Sequence, residues 1–275
     1  MIDKFDYMEP SCVLCGGEDF YYPKADAPKG FIPIKSVLAK LDSVEWKNDM
    51  AEATRLLEYW EQEGLALGDE RGLLTIYSEQ MGLYRKTLSE EKGLRAVENG
   101  LRLLYKLGLG DTVSGATITL NAATTLKAFG KAKDALPLYE KVKEIYDEHV
   151  EDDDPKKAGF YNNAALCYAD VGDKVRAEEY YKKALDVLSI SDANTENEKA
   201  VTYVNLAHLC DTIEGREDDT YEYMEKALEI LNGQKKQDGA YAAVCEKCAP
   251  SFAYFGYFQA EEELKGRAKR IYEGA

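Results

Sequence analysis

Residues 162–188 read NNAALCYADVGDKVRAEEYYKKALDVL, and this stretch decides the fold. Its first half places small residues and a tyrosine on one helical face, and the break VGD at residues 171–173 combines a helix stop with a helix start. Its second half repeats small and large side chains at helical spacing, from Ala177 to Ala184. Small residues let two helices approach closely, and tyrosine and leucine fill the gaps between them. The stretch therefore predicts two antiparallel helices.

The same features return every 42 residues along the chain. They are alanines at Ala123, Ala165, Ala207 and Ala249, asparagines at Asn121, Asn163 and Asn205, glycines at Gly130, Gly172 and Gly256, and tyrosines at Tyr139, Tyr181 and Tyr223. Leu88 and Glu214 stand where the series would place a glycine, and an insertion at residues 213–219 shifts the following helix by one residue. One helix pair cannot bury its apolar stripe alone, so neighbouring pairs must stack.

This pattern resembles the tetratricopeptide repeat (TPR) family, which has a small residue and an aromatic in the first helix and A-x₃-F in the second. The pattern appears as Ala165…Tyr168…Ala177-x₃-Tyr181 and as Ala123…Leu126…Ala135-x₃-Tyr139. The usual period is about 34 residues, and units of 42 residues are similar to the longer repeats of kinesin light chains. The resemblance implies an all-α, right-handed superhelical solenoid.

The resemblance covers the chain from about residue 32 onward. Units 116–157 and 158–199 match strongly, units 200–241 and 242–275 match less well, unit 74–115 matches weakly, and residues 34–67 predict one further helix pair. Together they predict about six antiparallel helix pairs, a number that follows from the 42-residue period. We therefore expect one TPR-like solenoid at residues 32–275 behind an N-terminal arm at residues 1–31, although the length alone favours about two domains.

Charge and hydropathy exclude several classes of function. The chain has 35 basic and 51 acidic residues and a net charge of −16. Nucleic acids and anionic membranes both require a basic face, so we expect neither as a partner. No apolar run approaches the roughly 18 residues of a transmembrane helix. The opening MIDKFDYMEP lacks a basic leader followed by an apolar core, so we expect a cytoplasmic protein.

The sharpest functional feature is the asparagine ladder, formed by Asn121, Asn163 and Asn205, each two residues before a repeat alanine. In the resembled family, asparagine at this position faces the concave groove and bonds the backbone of an extended peptide. An amide offers a donor and an acceptor, so it pairs with a peptide unit whatever its side chain. The ladder predicts a protein or peptide partner. The alternative is that these amides only bond neighbouring helices.

Other groove candidates follow the ladder at helical spacing. They are Asn162, Thr124, Lys127, Asp170, His208 and Asp211, with Arg85 and Lys86 upstream at the equivalent of Lys127. Basic groups beside asparagine are similar to the carboxylate clamp with which some TPR proteins hold a chaperone C-terminus. The basic set here is incomplete, because the central units supply one lysine, Lys127, and the other positions hold aspartate, Asp170 and Asp211.

The sequence contains little evidence of an enzymatic site, so we expect a non-enzymatic protein without a cofactor. The chain has two histidines, which excludes most histidine-rich zinc sites. A structural zinc is an alternative, because the pairs Cys12-x-x-Cys15 and Cys245-x-x-Cys248 together supply four thiolates. Completing that site requires the arm to reach back, or a second chain to contribute.

The arm itself is rich in proline and aromatic residues, which predicts an irregular segment that packs on the fold. One interpretation is a cap over the first helix pair, since terminal repeats need a cover. The other is a segment that fills the groove of its own chain or of a second protomer. That second interpretation makes the protein self-assembling or regulatory, with a homodimer as one form.

Overall fold

A computed structural model describes residues 28–46, 49–191 and 195–274. In this part of the chain the polypeptide forms twelve α-helices and no strand, which confirms the all-α prediction. The helices are α1 (Ile34–Trp46), α2 (Met50–Leu67), α3 (Glu70–Lys86), α4 (Glu90–Lys106), α5 (Val113–Ala128), α6 (Ala132–His149), α7 (Pro155–Asp170), α8 (Lys174–Ile190), α9 (Glu196–Asp211), α10 (Glu217–Gly233), α11 (Gly239–Tyr254) and α12 (Phe258–Glu273).

The helices pack in consecutive pairs within two compact units, residues 28–150 and 151–274. The first unit contains the pairs α1/α2, α3/α4 and α5/α6, and the second contains α7/α8, α9/α10 and α11/α12. The first helices of adjacent pairs also touch inside each unit, α3 with α5, α7 with α9, and α9 with α11. Both units therefore have the packing of a TPR-like helical stack. The single solenoid expected at residues 32–275 stays a prediction.

The helix starts confirm the repeat period. The second helices of five successive pairs begin 41 to 43 residues apart, at Glu90, Ala132, Lys174, Glu217 and Phe258. Helix α10 begins 43 residues after α8, which is the one-residue shift that the insertion before it predicts. The pair predicted from residues 34–67 is present as α1 and α2.

In the five pairs from α3/α4 to α11/α12, the turn inside the pair contains a residue with a left-handed backbone. Gly130 and Gly172 adopt φ values of 75° and 87° there, and glycine does so without steric cost. Leu88 stands at the same register and adopts φ 53°, the one positive-φ residue other than glycine among those described. In the unit with the insertion, Gly215 takes this conformation in place of Glu214.

The repeat alanines lie in the packed interior of the helix pairs. All four of them are fully buried, at Ala123, Ala165, Ala207 and Ala249. Tyr139 and Tyr181 are buried as well, and large side chains of this kind fill the space that small ones leave. Asp173 begins α8 by accepting a hydrogen bond from the backbone N–H of Arg176 at 3.0 Å, which confirms its role as a helix start.

The described chain begins against the turn between α2 and α3. The backbone N–H of Lys29 donates to the carbonyl of Leu67 at 2.7 Å, and that of Ile32 donates to Asp69 Oδ2 at 2.8 Å. Residues 1–27, most of the predicted arm, lie outside the described residues, so both interpretations of the arm stay predictions. None of the described helices is both long enough and apolar enough to span a membrane.

Candidate functional site

The asparagine ladder lies on the first helices, with Asn121 on α5, Asn163 on α7 and Asn205 on α9. We expected these side chains to line an open groove, but the structure buries them, with exposures of 5%, 1% and 3%. A sequence register fixes which helix carries a side chain, but the approach of neighbouring helices decides whether solvent reaches it. The role of the ladder in peptide binding stays a prediction.

Some of these amides connect first helices of adjacent pairs. Asn121 Nδ2 on α5 donates to Ser78 Oγ on α3 at 2.9 Å. Asn162 Nδ2 on α7 donates to Thr202 Oγ1 on α9, also at 2.9 Å. For Asn121 the structure shows the alternative that the sequence left open for the ladder, a bond between neighbouring helices, and Asn162 beside the ladder forms a bond of the same kind.

Each ladder residue also keeps one buried amide atom without a hydrogen-bond partner among the described residues. The atoms are Asn121 Oδ1, Asn163 Oδ1 and Asn205 Nδ2, and Asn162 Oδ1 has the same property. A buried polar atom left unpaired costs about 1–3 kcal/mol, so folded proteins contain few of them. Their presence at the same register in successive repeats is therefore unusual.

Within residues 151–274 two of these buried atoms have opposite hydrogen-bonding roles. Asn163 Oδ1 on α7 is a hydrogen-bond acceptor, and Asn205 Nδ2 on α9 is a donor. A peptide group offers the matching pair, an N–H and a carbonyl oxygen. Two amides one repeat apart can therefore hold the two polar sides of an extended backbone.

The basic candidates of the first unit separate into buried and exposed side chains. Arg85 is buried, and its Nη1 donates to the carbonyl of Asn121 at 3.4 Å and to Thr125 Oγ1 at 3.3 Å. Lys127 is also buried, whereas Lys86 is exposed and pairs with Glu45 Oε2 at 3.0 Å. The structure thus places Arg85, but not Lys86, beside the ladder.

Thr124 belongs to the interior of its own helix pair. Its Oγ1 donates to the carbonyl of Leu120 at 2.8 Å and lies 3.3 Å from the hydroxyl of Tyr139 on α6. Asp170 is exposed at the last residue of α7. The structure brings neither side chain into contact with a ladder amide among the described contacts.

His208 and Asp211 both meet α11. His208 Nε2 lies 2.8 Å from Ser251 Oγ, and the imidazole ring packs against Phe255 at 4.9 Å between centroids. The hydroxyl of Tyr254 donates to Asp211 Oδ2 at 2.9 Å. Ser251 is fully buried, and a serine nucleophile must reach its substrate, so this pair is a contact between helices.

Only one of the two cysteine pairs lies among the residues that the structure describes. Cys12 and Cys15 lie outside the described residues. Cys245 and Cys248 are fully buried on α11, and burial raises the pKa of both thiols, that of Cys248 to about 12. Zinc binds thiolates, so these two sulfurs would have to lose protons in an apolar interior. In the described part of the chain, no group of three or more His, Cys, Asp or Glu side chains is arranged to hold a metal ion. The four-cysteine zinc site stays a prediction.

Sequence reasoning missed an open cleft of about 760 Å³ between α9 and α10. Its lining includes Glu196, Tyr203, Lys226, Glu229, Ile230, Gly233, Gln234, Lys235 and Lys236. The rings of Tyr203 and Tyr223 stack at 5.9 Å, and Lys226 Nζ lies over both. The paired tyrosines are visible in the sequence, but the chain after α10 completes the cleft without a repeat signal.

Glu198 was also missed. Its Oε2 is buried without a partner among the described residues, and burial raises the pKa of its carboxyl group. It lies on α9, one turn before Thr202, whose hydroxyl donates to its backbone carbonyl at 2.8 Å. A single glutamate in an otherwise acidic sequence gives no signal of this kind.

A comparison with known protein families agrees with the observed helix pairs. The tetratricopeptide repeat model matches residues 116–189, which is the region of α5 to α8. The strongest units of the sequence pattern lie in this region, and the rest of the described chain continues its helix pairing. The TPR resemblance drawn from the sequence is confirmed.

Solved structures share the fold at low sequence identity. A putative kinesin light chain of Podosopora anserina with nearly identical TPR-like repeats is 16% identical, with a TM-score of 0.52 over 71% of this chain and 92% of that one. BtubC (BKLC) from P. vanneervenii is 23% identical, with a TM-score of 0.53 over 83% and 91%. PilW, a type IV pilus biogenesis factor, is 14% identical, with a TM-score of 0.56 over 88% and 94%. The sequence has no significant match among curated proteins. These likenesses show the TPR fold.

Proposed function

We propose that the protein is a non-enzymatic interaction scaffold that binds an extended peptide along its first helices. TPR proteins generally serve as interaction modules and not as enzymes. One observation carries the proposal: Asn163 Oδ1 and Asn205 Nδ2, at the same register of two successive repeats, are buried without hydrogen-bond partners among the described residues.

The dimensions of the two partners are compatible. Neighbouring helices pack about 8–10 Å apart, and an extended chain advances about 3.3 Å per residue. Amides on successive first helices therefore meet about every third residue of a bound strand. Bonds to the peptide backbone select an extended shape, and side chains near the ladder then select the sequence.

Burial of the ladder has a kinetic consequence. Asn163 and Asn205 are almost fully covered, so a peptide must displace their cover or rotate their side chains before it bonds them. Binding that requires a conformational change has an association rate below the usual range of about 10⁵–10⁷ M⁻¹s⁻¹. We expect slow association with a partner peptide.

The test uses a randomised library of 12-residue peptides, selected on the full chain. We expect selected peptides to bind the native chain and to lose at least about tenfold in affinity, about 1.4 kcal/mol, with Asn163→Ala/Asn205→Ala. Helix content and the thermal midpoint should persist, because the substitutions remove atoms without described partners.

Asn232→Ala is the matched control, since Asn232 is exposed on α10 and should not affect peptide affinity. Failure to select any peptide contradicts the proposal, and so does equal affinity of native chain and double variant. The cytoplasmic location, the structural zinc and the homodimer stay predictions.

A further inference from the structure

Four buried side-chain atoms in residues 151–274 lack a hydrogen-bond partner among the described residues. Three are acceptors, Asn162 Oδ1, Asn163 Oδ1 and Glu198 Oε2, and one is a donor, Asn205 Nδ2. The proposed backbone contact uses one acceptor and one donor, those of Asn163 and Asn205. The oxygens of Asn162 and Glu198 stay unsatisfied beside a bound backbone, so a ligand that satisfies them has further donors.

Both of these oxygens belong to the contact between α7 and α9. Glu198 and Thr202 are four residues apart on α9, so their side chains are neighbours on one face of that helix. Asn162 on α7 bonds the hydroxyl of Thr202 through its Nδ2 at 2.9 Å, which places its amide beside the same face. One guanidinium or ammonium group on this face can therefore donate to both oxygens.

Glu198 also supplies a negative charge. Among the described residues no cation pairs with its carboxylate, because the adjacent Lys199 forms its ion pair with Glu196, at 2.8 Å. Burial raises the pKa of the Glu198 carboxyl group, as expected where burial is not offset by a cation. A carboxylate removed from water is costly until it is paired, so a cationic group of a ligand stabilises it.

The spacing along α9 favours a long basic side chain. Glu198 precedes Asn205 by seven residues, which is about 10 Å along one face of the helix. Side chains of an extended strand project at right angles to its N–H and carbonyl groups. A strand whose polar groups face the ladder therefore directs every second side chain along α9, towards Glu198 or away from it. Arginine and lysine have long stems that end in several N–H donors.

We propose that the α7–α9 face formed by Asn162, Glu198 and Asn205 selects peptides with an arginine or a lysine. Asn205 holds the peptide backbone, and the basic side chain extends towards the start of α9 and donates to Glu198 Oε2 and Asn162 Oδ1. The inference rests on the proposed backbone contact and adds the chemical class of the partner, a basic peptide. The alternative is that Glu198 only stabilises the first turn of α9, where a carboxylate is favourable without a ligand.

Parallel selections from a randomised library of 12-residue peptides, on the native full chain and on Glu198→Gln, test the inference. We expect peptides selected on the native chain to share arginine or lysine at one aligned position, at least about threefold above its frequency in the starting library. Selection on Glu198→Gln should remove this enrichment. Glutamine has nearly the shape of glutamate without its charge, so helix content should be unchanged.

Glu196→Gln is the matched control, because Glu196 lies in the same first turn of α9 and pairs with Lys199. It should leave both the enrichment and the affinity of a selected peptide as in the native chain. Each variant removes one carboxylate near the start of α9, so an effect that comes only from the helix terminus would appear in both.

A change confined to the peptide remains decisive even where Glu198→Gln fails to fold. The selected basic residue is replaced by its neutral counterpart, citrulline for arginine or acetyl-lysine for lysine, and both peptides are titrated into the native chain and into Glu198→Gln. Neutralisation should weaken binding at least about tenfold in the native chain and less than about twofold in Glu198→Gln.

Four results overturn the inference. They are selected peptides without a shared basic position, an enrichment that persists on Glu198→Gln, equal effects of Glu196→Gln and Glu198→Gln, and a loss of less than twofold when the peptide is neutralised on the native chain. Each of them leaves the affinity loss with Asn163→Ala/Asn205→Ala intact, so the backbone contact and the basic preference fail separately. Failure to select any peptide removes both proposals together.

Discussion

Removing an asparagine that bonds a neighbouring helix should lower the free energy of unfolding more than removing one that binds only a ligand. Asn121 and Asn162 bond Ser78 and Thr202, so Asn121→Ala or Asn162→Ala leaves a buried hydroxyl without its donor. We expect each to lower the free energy of unfolding by about 1–3 kcal/mol in urea denaturation.

Asn163→Ala and Asn205→Ala remove amides that each include a buried atom without a hydrogen-bond partner among the described residues. Removing a buried group that lacks a partner relieves a desolvation penalty, so we expect these two substitutions to change the unfolding free energy by less than about 1 kcal/mol. Equal destabilisation by all four substitutions would assign the whole ladder to the fold and not to a ligand.

Leu88 shows the cost of departing from the repeat sequence at one position. It adopts φ 53° where neighbouring repeats have glycine, and its side chain is 75% exposed. A left-handed backbone costs an L-residue about 1–2 kcal/mol, and glycine loses about 0.5–1 kcal/mol more chain entropy on folding. Leu88→Gly should therefore raise the unfolding free energy by about 0.5–1 kcal/mol. Leu88→Ala, which keeps the strain, should not; a gain with alanine would show that side-chain exposure is the cause.

At the scale of elements, an ion pair connects second helices of adjacent pairs. Glu178 on α8 accepts from both terminal nitrogens of Arg216 before α10, at 3.1 and 3.2 Å, and also pairs with Lys182 at 2.7 Å. Arg216 first and then Lys182 lower the pKa of Glu178 from 4.5 to about 2. A carboxyl group with a lowered pKa in the folded state contributes stability that is complete above pH 4.5 and is lost as the pH falls towards 2.

Glu178→Gln should therefore destabilise the protein most at neutral pH. Because both side chains are partly exposed, we expect a deficit of about 1 kcal/mol at pH 7 in urea unfolding, disappearing as the pH approaches the pKa of about 2. Glu179→Gln is the control, since Glu179 forms an exposed pair with Lys183 within one helix. A deficit that persists unchanged in acid would mean that packing, and not charge, connects α8 to Arg216.

At the scale of the molecule, the period and the turns were predictable from the sequence. Small alanines let packed helices approach each other, so their 42-residue spacing predicts the repeating helix pairs. Leu88 occupies the repeat position that is glycine in other units, so the repeat pattern also predicts a turn at Leu88. Burial of Asn163 did not follow, because a linear period carries no information on how closely α9 approaches α7. The cleft beside Tyr203 also escaped prediction, since a non-repeating segment after α10 completes it.

Backbone capture by the ladder is the central claim, and a double-mutant cycle between protein and peptide tests it most directly. A peptide selected on the full chain is N-methylated at one backbone position at a time, and each form is titrated into the native chain and into Asn163→Ala by calorimetry. The account predicts one position where methylation costs at least about tenfold in affinity in the native chain and nothing further in the variant. Equal losses in both proteins at every position would contradict it.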